Sequence, residues 1–392
     1  MKASVIIPAY NSKERLYYNL ISLNNQDCDF NIFEVIVVDN GSNDNTIEML
    51  ENFKAKFAFK FVRLEKNRGI ARGRNEGIRR AVGDILIFHD SDMIANRDFI
   101  TMHLKNHEEK NIVVCGIPWK RIFTFYYKDL DLSNESYLGQ TVPKPDENPN
   151  MTDKYPLIDV ESIIDGSYIN KSFDLNVEFM RGLKRILKDH NEELEDYVLP
   201  WRFFITNNAS AERNRVIEVG MFDESIVGYG FEDYDLGIRL YKSGSKFIFD
   251  KNIINVHQEH PTNVNVSEAR DNINYICKKY NNSFFLDVIL VCTSGTTSIS
   301  EYDFNELTKD INNMISVSYF RPLLDIFLEL LQTCRRRYFI DGVTDFNKVM
   351  PIIDIDINKL IVEVKILRDV FGIKHFTEAM LTLIKDIYNV YY

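Results

Sequence analysis

The strongest constraint on how this chain folds is a rhythm in its first third. Short apolar runs recur at Val5-Ile6-Ile7, Val35-Ile36-Val37-Val38, Phe59-Lys60-Phe61-Val62, Ile85-Leu86-Ile87-Phe88 and Ile112-Val113-Val114. Each is too short for a helix, and the unbroken β-branched ones suit strands buried on both faces. Between them, apolar residues fall at helical spacing: Leu16, Leu20 and Leu23; then Ile47, Leu50, Phe53 and Phe57; then a stretch through Ile78. Asn11 followed by Glu14 predicts a capping box at the start of the first helix. Strand–helix alternation of this kind predicts an α/β fold with a doubly wound, mostly parallel sheet. Such sheets bind ligands beyond the carboxyl ends of their strands. Tyr10, Asp39 and Asp90 each fall just past one of those ends.

The pattern changes along the chain. Residues 120–200 are less regular, with a polar Pro- and Asn-rich loop from Lys144 to Pro156 and a charged helix within Phe179–Val198. A connection that long predicts a functional surface, here one that receives an acceptor. From about Asp303 helical patterns repeat, as in Leu323, Leu324, Phe327 and Leu330. The reading is a catalytic domain at 1–283 and a smaller, mostly helical accessory domain at 284–392.

Composition removes several alternatives. With 45% apolar residues the chain has ample core material. A net charge of −11 disfavours nucleic acid as the main partner, because duplex binding relies on neutralising phosphates. The five cysteines are scattered and contain no C-x-x-C pair, which fits a reducing cytosol better than a disulfide framework or a zinc site. The longest later apolar stretch, Phe284–Cys292, is interrupted by Asp287 and is too short to span a bilayer. The expectation is a cytoplasmic protein, in contact with a membrane only peripherally.

Several constellations carry chemistry. Asp90-Ser91-Asp92 closes the fourth apolar run. In extended chain, residues i and i+2 point to one side, so both carboxylates could serve one Mg²⁺ or Mn²⁺ bound to a substrate phosphate. Asp39, in Val38-Asp39-Asn40-Gly41-Ser42, could accept a nucleobase N–H or simply form a turn. Asn67-Arg68-Gly69-Ile70-Ala71-Arg72-Gly73-Arg74-Asn75 joins glycine, cations and a helix start, which suits a diphosphate or a solvated surface turn. Glu232-Asp233 follows Gly228 and Gly230 and offers either a base or an acidic first helical turn. His257-Gln258-Glu259-His260 offers an imidazole acceptable to Mn²⁺. Trp119 and Trp201, the two tryptophans, could stack on a sugar or fill core.

Taken in order, Ser4-Val5-Ile6-Ile7-Pro8-Ala9-Tyr10-Asn11, Val37-Val38-Asp39-Asn40-Gly41-Ser42, Asn67-Arg68-Gly69 with Ala71, Arg74 and Asn75, and Asp90-Ser91-Asp92 resemble the signature series of family 2 glycosyltransferases of the GT-A fold. Asn207-Asn208-Ala209-Ser210, Phe222-Asp223-Glu224 and Gly230-Phe231-Glu232-Asp233-Tyr234-Asp235 resemble the second half of chondroitin-polymerase-like and galactosyltransferase-like members. The resemblance implies that Pro8 and Tyr10 flank a nucleobase bound by Asp39, and that Asn67, Gly69 and Arg74 line the nucleotide pocket. It implies Asp90 at the ribose or metal, Asp92 at the metal, His257 as a third ligand, Asp233 as the base and Glu232 holding the acceptor. It further implies an inverting transfer from a nucleotide sugar, a UDP-sugar, to a hydroxyl of a glycan, glycolipid or protein, as in cell-surface polysaccharide biosynthesis. Gly230-Phe231 stands where related members carry Gly-Gly or Trp-Gly. The absence of a Q-x-x-R-W motif points away from processive synthases. The competing readings are a sugar-phosphate nucleotidyltransferase, disfavoured because Pro8-Ala9-Tyr10-Asn11 replaces a Gly-rich basic loop, and a non-catalytic carbohydrate-binding scaffold. The helical tail could mediate oligomerisation.

Overall fold

The computed structural model describes residues 1–131, 137, 140, 153–228, 230–261, 266–339 and 355–388. Most of the expected Pro-rich loop at 144–156, and Tyr229, lie outside them.

The predicted alternation is present. Strand β1 (Ala3–Ala9) leads to α1 (Lys13–Leu23), β2 (Phe33–Asp39), α2 (Thr46–Asn52), β3 (Ala58–Arg63), α3 (Ile70–Arg80) and β4 (Ile85–Phe88). β1 and β2 are buried at every position, as their unbroken apolar runs require. β1 pairs in parallel with β2 on one side and β4 on the other, and β2 pairs with β3. The chain therefore steps outward from β1 to β3 and returns to the opposite side of β1. That reversal leaves a crevice at the carboxyl ends of β1, β2 and β4.

The remaining strands of this region are β5 (Met93–Ala95), β6 (Ile112–Ile117), β7 (Lys120–Ile122), β8 (Phe125–Tyr127), β9 (Lys154–Pro156), β10 (Phe173–Asp174), β11 (Ala209–Glu212) and β12 (Lys246–Gln258). The main sheet runs β10-β7-β12-β6-β11-β4-β1-β2-β3, with β5 beside β12. β11 is antiparallel to both β4 and β6, so the sheet is mixed rather than wholly parallel. β12 pairs in parallel with β6 and β7. The helices are α4 (Phe99–Lys105), α5 (Val160–Ile164), α6 (Glu178–His190), α7 (Arg213–Glu218) and α8 (Glu232–Lys242).

α3 lies unusually close to the sheet. A Cβ on Gly77 would stand 2.7 Å from Ile6 Cγ2, and one on Gly73 would stand 2.8 Å from the Asn40 side chain. Only glycine at these two positions lets the helix settle onto β1, and that settling carries Arg74 and Asn75 into the crevice. The capping box expected at Asn11 and Glu14 does not form. Asn11 sits at φ 48° and accepts a bond from Asn43 N, while Asp44 takes the Lys13 N–H at 2.9 Å. Glu14 pairs instead with Lys154. The loop after β2 thus caps α1 from a distant part of the chain.

The chain divides into two compact units, residues 1–196 with 200–265, and residues 197–199 with 266–392. The division falls earlier than the expected boundary at 283, because α9 (Val266–Lys279) packs on α10 (Leu286–Cys292). The second unit continues with α11 (Phe304–Ile315), α12 (Arg321–Phe339), α13 (Ile357–Phe371) and α14 (Lys374–Tyr388). Leu307, Ile311, Phe327, Val364, Phe376 and Met380 form its interior. Among the described residues no helix is long and apolar enough to cross a membrane. The five cysteines are free thiols.

Candidate active site

Two clusters of side chains occupy the crevice, the first built around one arginine. Arg74 projects from α3 with 2% of its side chain exposed. It donates at 2.8 Å to Asp90 Oδ1 and at 2.7 Å to Glu232 Oε1, and its guanidinium lies over the Phe222 ring at 5.3 Å. Burial disfavours its charge, but the two carboxylates outweigh burial and hold it protonated. The sequence reading placed Arg74 among residues lining the nucleotide pocket, with its cationic stretch suited to a diphosphate. Its hydrogen bonds instead join the end of β4 to the start of α8. Its neighbour Arg72 is likewise engaged, by Glu224 at 2.8 Å. Asn75 completes the tie, donating to Phe222 O and accepting from Phe222 N, both at 2.9 Å.

Glu232 opens α8 behind a strained turn. Gly230 lies at φ 89° and Phe231 at φ 75°, a left-handed conformation costly for a bulky residue and frequent at functional sites. The phenylalanine that departs from the family pattern thus sits where glycine would be relaxed. Phe231 and Trp201 both pack edge-on against Tyr234. Trp201 is fully buried and Trp119 nearly so, stacked on Phe249, so both serve as core rather than as sugar platforms. Asp233 follows, partly covered, its Oδ1 bonded to Tyr234 N at 2.8 Å. Burial, and then the charge of Glu232, push the Asp233 carboxyl up to about 7.

The second cluster forms where β12 ends. Asp92 Oδ2 lies 3.1 Å from His260 Nε2 and 3.5 Å from His257 Nε2, and the imidazoles stack with centroids 5.7 Å apart. One ligand atom from each of Asp92, His257 and His260 falls within 4.8 Å of the others. Burial works against the Asp92 charge, yet the two imidazoles hold its carboxyl well below the usual range. Burial likewise disfavours the His257 cation, but Asp92 and the hydrogen bonds around the ring raise it to about 9. A carboxylate oxygen with two imidazole nitrogens is a set that fits Mn²⁺, whereas Mg²⁺ prefers all-oxygen ligands.

The expected extended geometry of Asp90-Ser91-Asp92 is absent. Met93 N bonds to Asp90 O across a turn, and the two carboxylates take different partners, Arg74 for Asp90 and the histidines for Asp92. Asp90, expected at the ribose or metal, stands outside the three-residue cluster. Chain geometry explains this: β4 ends at Phe88, so the i, i+2 rule does not reach Asp90.

On the other side of the crevice Asp39 is fully buried at the end of β2. Its Oδ1 accepts from Ser42 N at 3.0 Å, while Oδ2 has no hydrogen bond and lies 3.7 Å from Arg63 Nε. Pro8 is buried at the end of β1, and Tyr10 beside it is 47% exposed. Gly69, at φ 87°, caps α3, and Asn67 Oδ1 accepts from its N–H at 2.9 Å.

Residues 4–165 match the profile of Glycosyl transferase family 2. An uncharacterized glycosyltransferase of Bacillus subtilis (strain 168), YfnE, is 47% identical over 398 residues, covering 100% of this chain and 98% of that protein. The chain belongs to glycosyltransferase family 2. Chondroitin synthase of Pasteurella multocida (strain Pm70) is 29% identical to this glycosyltransferase over 269 residues, 68% of the chain but only 25% of the synthase. Among solved structures, the mannosyltransferase PcManGT of Pyrobaculum calidifontis in complex with GDP-Man and Mn²⁺ matches with a TM-score of 0.47 at 15% identity, over 100% of this chain and 88% of that one.

Sequence reasoning overlooked several residues of this glycosyltransferase's crevice. Asn19 of α1 donates at 2.8 Å to Asp90 O. Glu259 accepts from His257 Nδ1 at 2.8 Å and from Arg121 Nε at 3.0 Å. Glu259 carried a readable signal, since it falls two residues after His257 at the end of a strand. Asn19 and Arg121 carried none, because their partners are distant in sequence.

Proposed function

We propose that this glycosyltransferase is inverting and metal-dependent, moving a sugar from a UDP-sugar to an acceptor hydroxyl. The observation that carries the reading is Arg74, which pairs with Asp90, two residues before Asp92 of the Asp92–His257–His260 set, and with Glu232, the neighbour of the raised Asp233 carboxyl. A base with a pKa near working pH accepts a proton readily while a large fraction of it stays ionised.

In this reading Asp39 Oδ2, buried and without a hydrogen bond, accepts the imide N–H of uracil. Pro8 and Tyr10 flank the base, and Asn67 and Gly69 line the pocket. Asp90 keeps 25% of its side chain exposed and reaches the ribose. Asp92, His257 and His260 would hold Mn²⁺, which would supply positive charge beside the diphosphate. Asp233 removes the acceptor proton as the hydroxyl attacks the anomeric carbon from the face opposite the diphosphate, and Glu232 orients the acceptor. Arg74 acts by positioning Asp90 and Glu232.

The acceptor class is a glycan, glycolipid or protein hydroxyl. The likeness to a chondroitin synthase favours a glycan acceptor; the setting we assign is cell-surface polysaccharide synthesis on the cytoplasmic side, with peripheral contact at the membrane. Oligomerisation through the helical unit is supported by Val362, Ile366 and Val370, four residues apart on α13 and all exposed.

The test is release of UDP from a panel of UDP-sugars, with Mn²⁺ and an acceptor mixture. Asp233→Asn should lower turnover by at least about a thousandfold while leaving UDP affinity intact. Near-native turnover in that variant would remove Asp233 as the base.

A further inference from the structure

We propose that Glu259 is a positioning residue that orients the His257 ring, through its Nδ1, so that Nε2 is presented to a divalent cation shared with Asp92. The inference rests on the metal reading given above and extends it to a residue outside the ligand set.

The argument begins with strand geometry. β12 ends at Gln258, one residue after His257, and Glu259 N donates to Ile122 O at 2.8 Å, which carries the pairing with β7 one residue further; His257 and Glu259, two residues apart, fall on the same side. They meet there, Nδ1 to Oε1, at 2.8 Å. The opposite ring nitrogen, Nε2, is the one that approaches Asp92, at 3.5 Å. A carboxylate can only accept, so in the neutral ring the bond to Glu259 fixes the proton on Nδ1 and leaves the Nε2 lone pair free. That is the tautomer a metal requires.

Glu259 is itself fixed. It is 6% exposed. Arg121 Nε lies 3.0 Å from Oε1, the Tyr137 hydroxyl donates to Oε2, and Glu259 N donates to Ile122 O at 2.8 Å. Arg121 is held in turn by Pro118 O at 2.8 Å. A carboxylate with this many partners has little rotational freedom, and the ring bonded to it inherits that order. Outer carboxylates of this kind also make a ligating imidazole more basic. His260 differs, because among the described residues its Nδ1 meets only the carbonyl of the adjacent Pro261, at 2.9 Å. The two histidines are therefore unequal, and His257 is the better prepared.

The deciding measurement is Mn²⁺ affinity, read by electron paramagnetic resonance of the free ion, with UDP affinity in the absence of metal as a control. Glu259→Ala should weaken Mn²⁺ binding by about 10–100-fold with metal-free UDP affinity unchanged. Glu259→Gln, which keeps an oxygen against Nδ1–H, should recover most of the loss. Mn²⁺ bound by Glu259→Ala as tightly as by the native protein would overturn the inference, as would a Gln variant as weak as the Ala variant. A measurement on the native chain avoids dependence on any variant's folding. In the Cd²⁺-loaded protein, ¹⁵N shifts of the His257 ring should report a protonated Nδ1 and a metal-bound Nε2, and the reverse assignment would overturn it. The parent reading fails separately: if the native protein binds no Mn²⁺ that Asp92→Ala abolishes, the metal site is wrong and Glu259 falls with it.

Discussion

Replacing Arg74 by methionine isolates the tie between the halves of the crevice. Methionine keeps much of the aliphatic stem against Phe222 and removes the charge that joins Asp90 and Glu232. At about 4 Å and an effective dielectric near 20, one pair of unit charges attracts by about 4 kcal/mol, and Arg74 makes two such contacts at shorter range. Most of that attraction offsets the cost of burying the ions. Removing one partner leaves carboxylates without their counter-ion, which costs about 3–5 kcal/mol. Trp119 and Trp201 are the chain's tryptophans, and both lie in the first compact unit, so tryptophan fluorescence in urea reports that unit alone. The triple variant Asp90→Asn/Arg74→Met/Glu232→Gln, with no stranded charge, should regain most of the loss. The pH profile supplies a second readout. Arg74 opposes the upward push on Asp233, so its removal should move the acidic limb of kcat/KM to higher pH. A loss below about 1 kcal/mol, the range of a surface ion pair, with an unmoved limb would refute the argument.

Other outcomes follow from the same coordinates. His89 is fully buried and burial lowers its pKa to about 3, below its value of 6.5 in the unfolded chain. Between those values the unfolded state binds the extra proton, so stability is retained above pH 6.5 and lost as pH falls below it; His89 alone should cost about 2 kcal/mol between pH 7.5 and 5 in urea titrations. Because the raised Asp233 carboxyl gains stability as pH falls over the same window, the readout is the difference between the native chain and His89→Gln; identical pH dependence in the two would contradict the burial of His89. Gly77→Ala should destabilise the first unit by about 1–3 kcal/mol, because its Cβ would meet Ile6 at 2.7 Å. An unchanged urea midpoint would show that α3 can lift without penalty.

Much of the fold was legible because its strands are buried on both faces and write themselves as unbroken apolar runs, as β1, β2 and β4 do. β11 was not, since Ala209-Ser210-Ala211-Glu212 has little apolar character and becomes a strand by lying between β4 and β6. The capping box failed for a related reason: Asn11 Oδ1 accepts from Asn43 N in the loop after β2 rather than from its own helix, whose cap is Ser12. In the crevice, the types and order of acidic residues were readable, and their pairing was not. Arg74 resembled a phosphate ligand because no sequence rule distinguishes a cation that meets a ligand from one that meets Glu232. The inequality of His257 and His260 depends on what lies behind each ring, and of those partners only Glu259 lies close enough in sequence for spacing to suggest it.

β11 has a practical consequence for recombination within the family. It brings a piece of chain from beyond residue 200 into the middle of the sheet, hydrogen-bonded to β4 on one edge and β6 on the other. The segments to which the proposal assigns donor recognition and acceptor activation are therefore woven into one fabric, not docked as separable modules. A chimera grafting the amino-terminal third of one member onto the remainder of another must match backbone register across β4 and β11, as well as side chains at the seam. Donor preference in this architecture should be altered more readily by point substitutions around Asp39 than by exchanging whole segments.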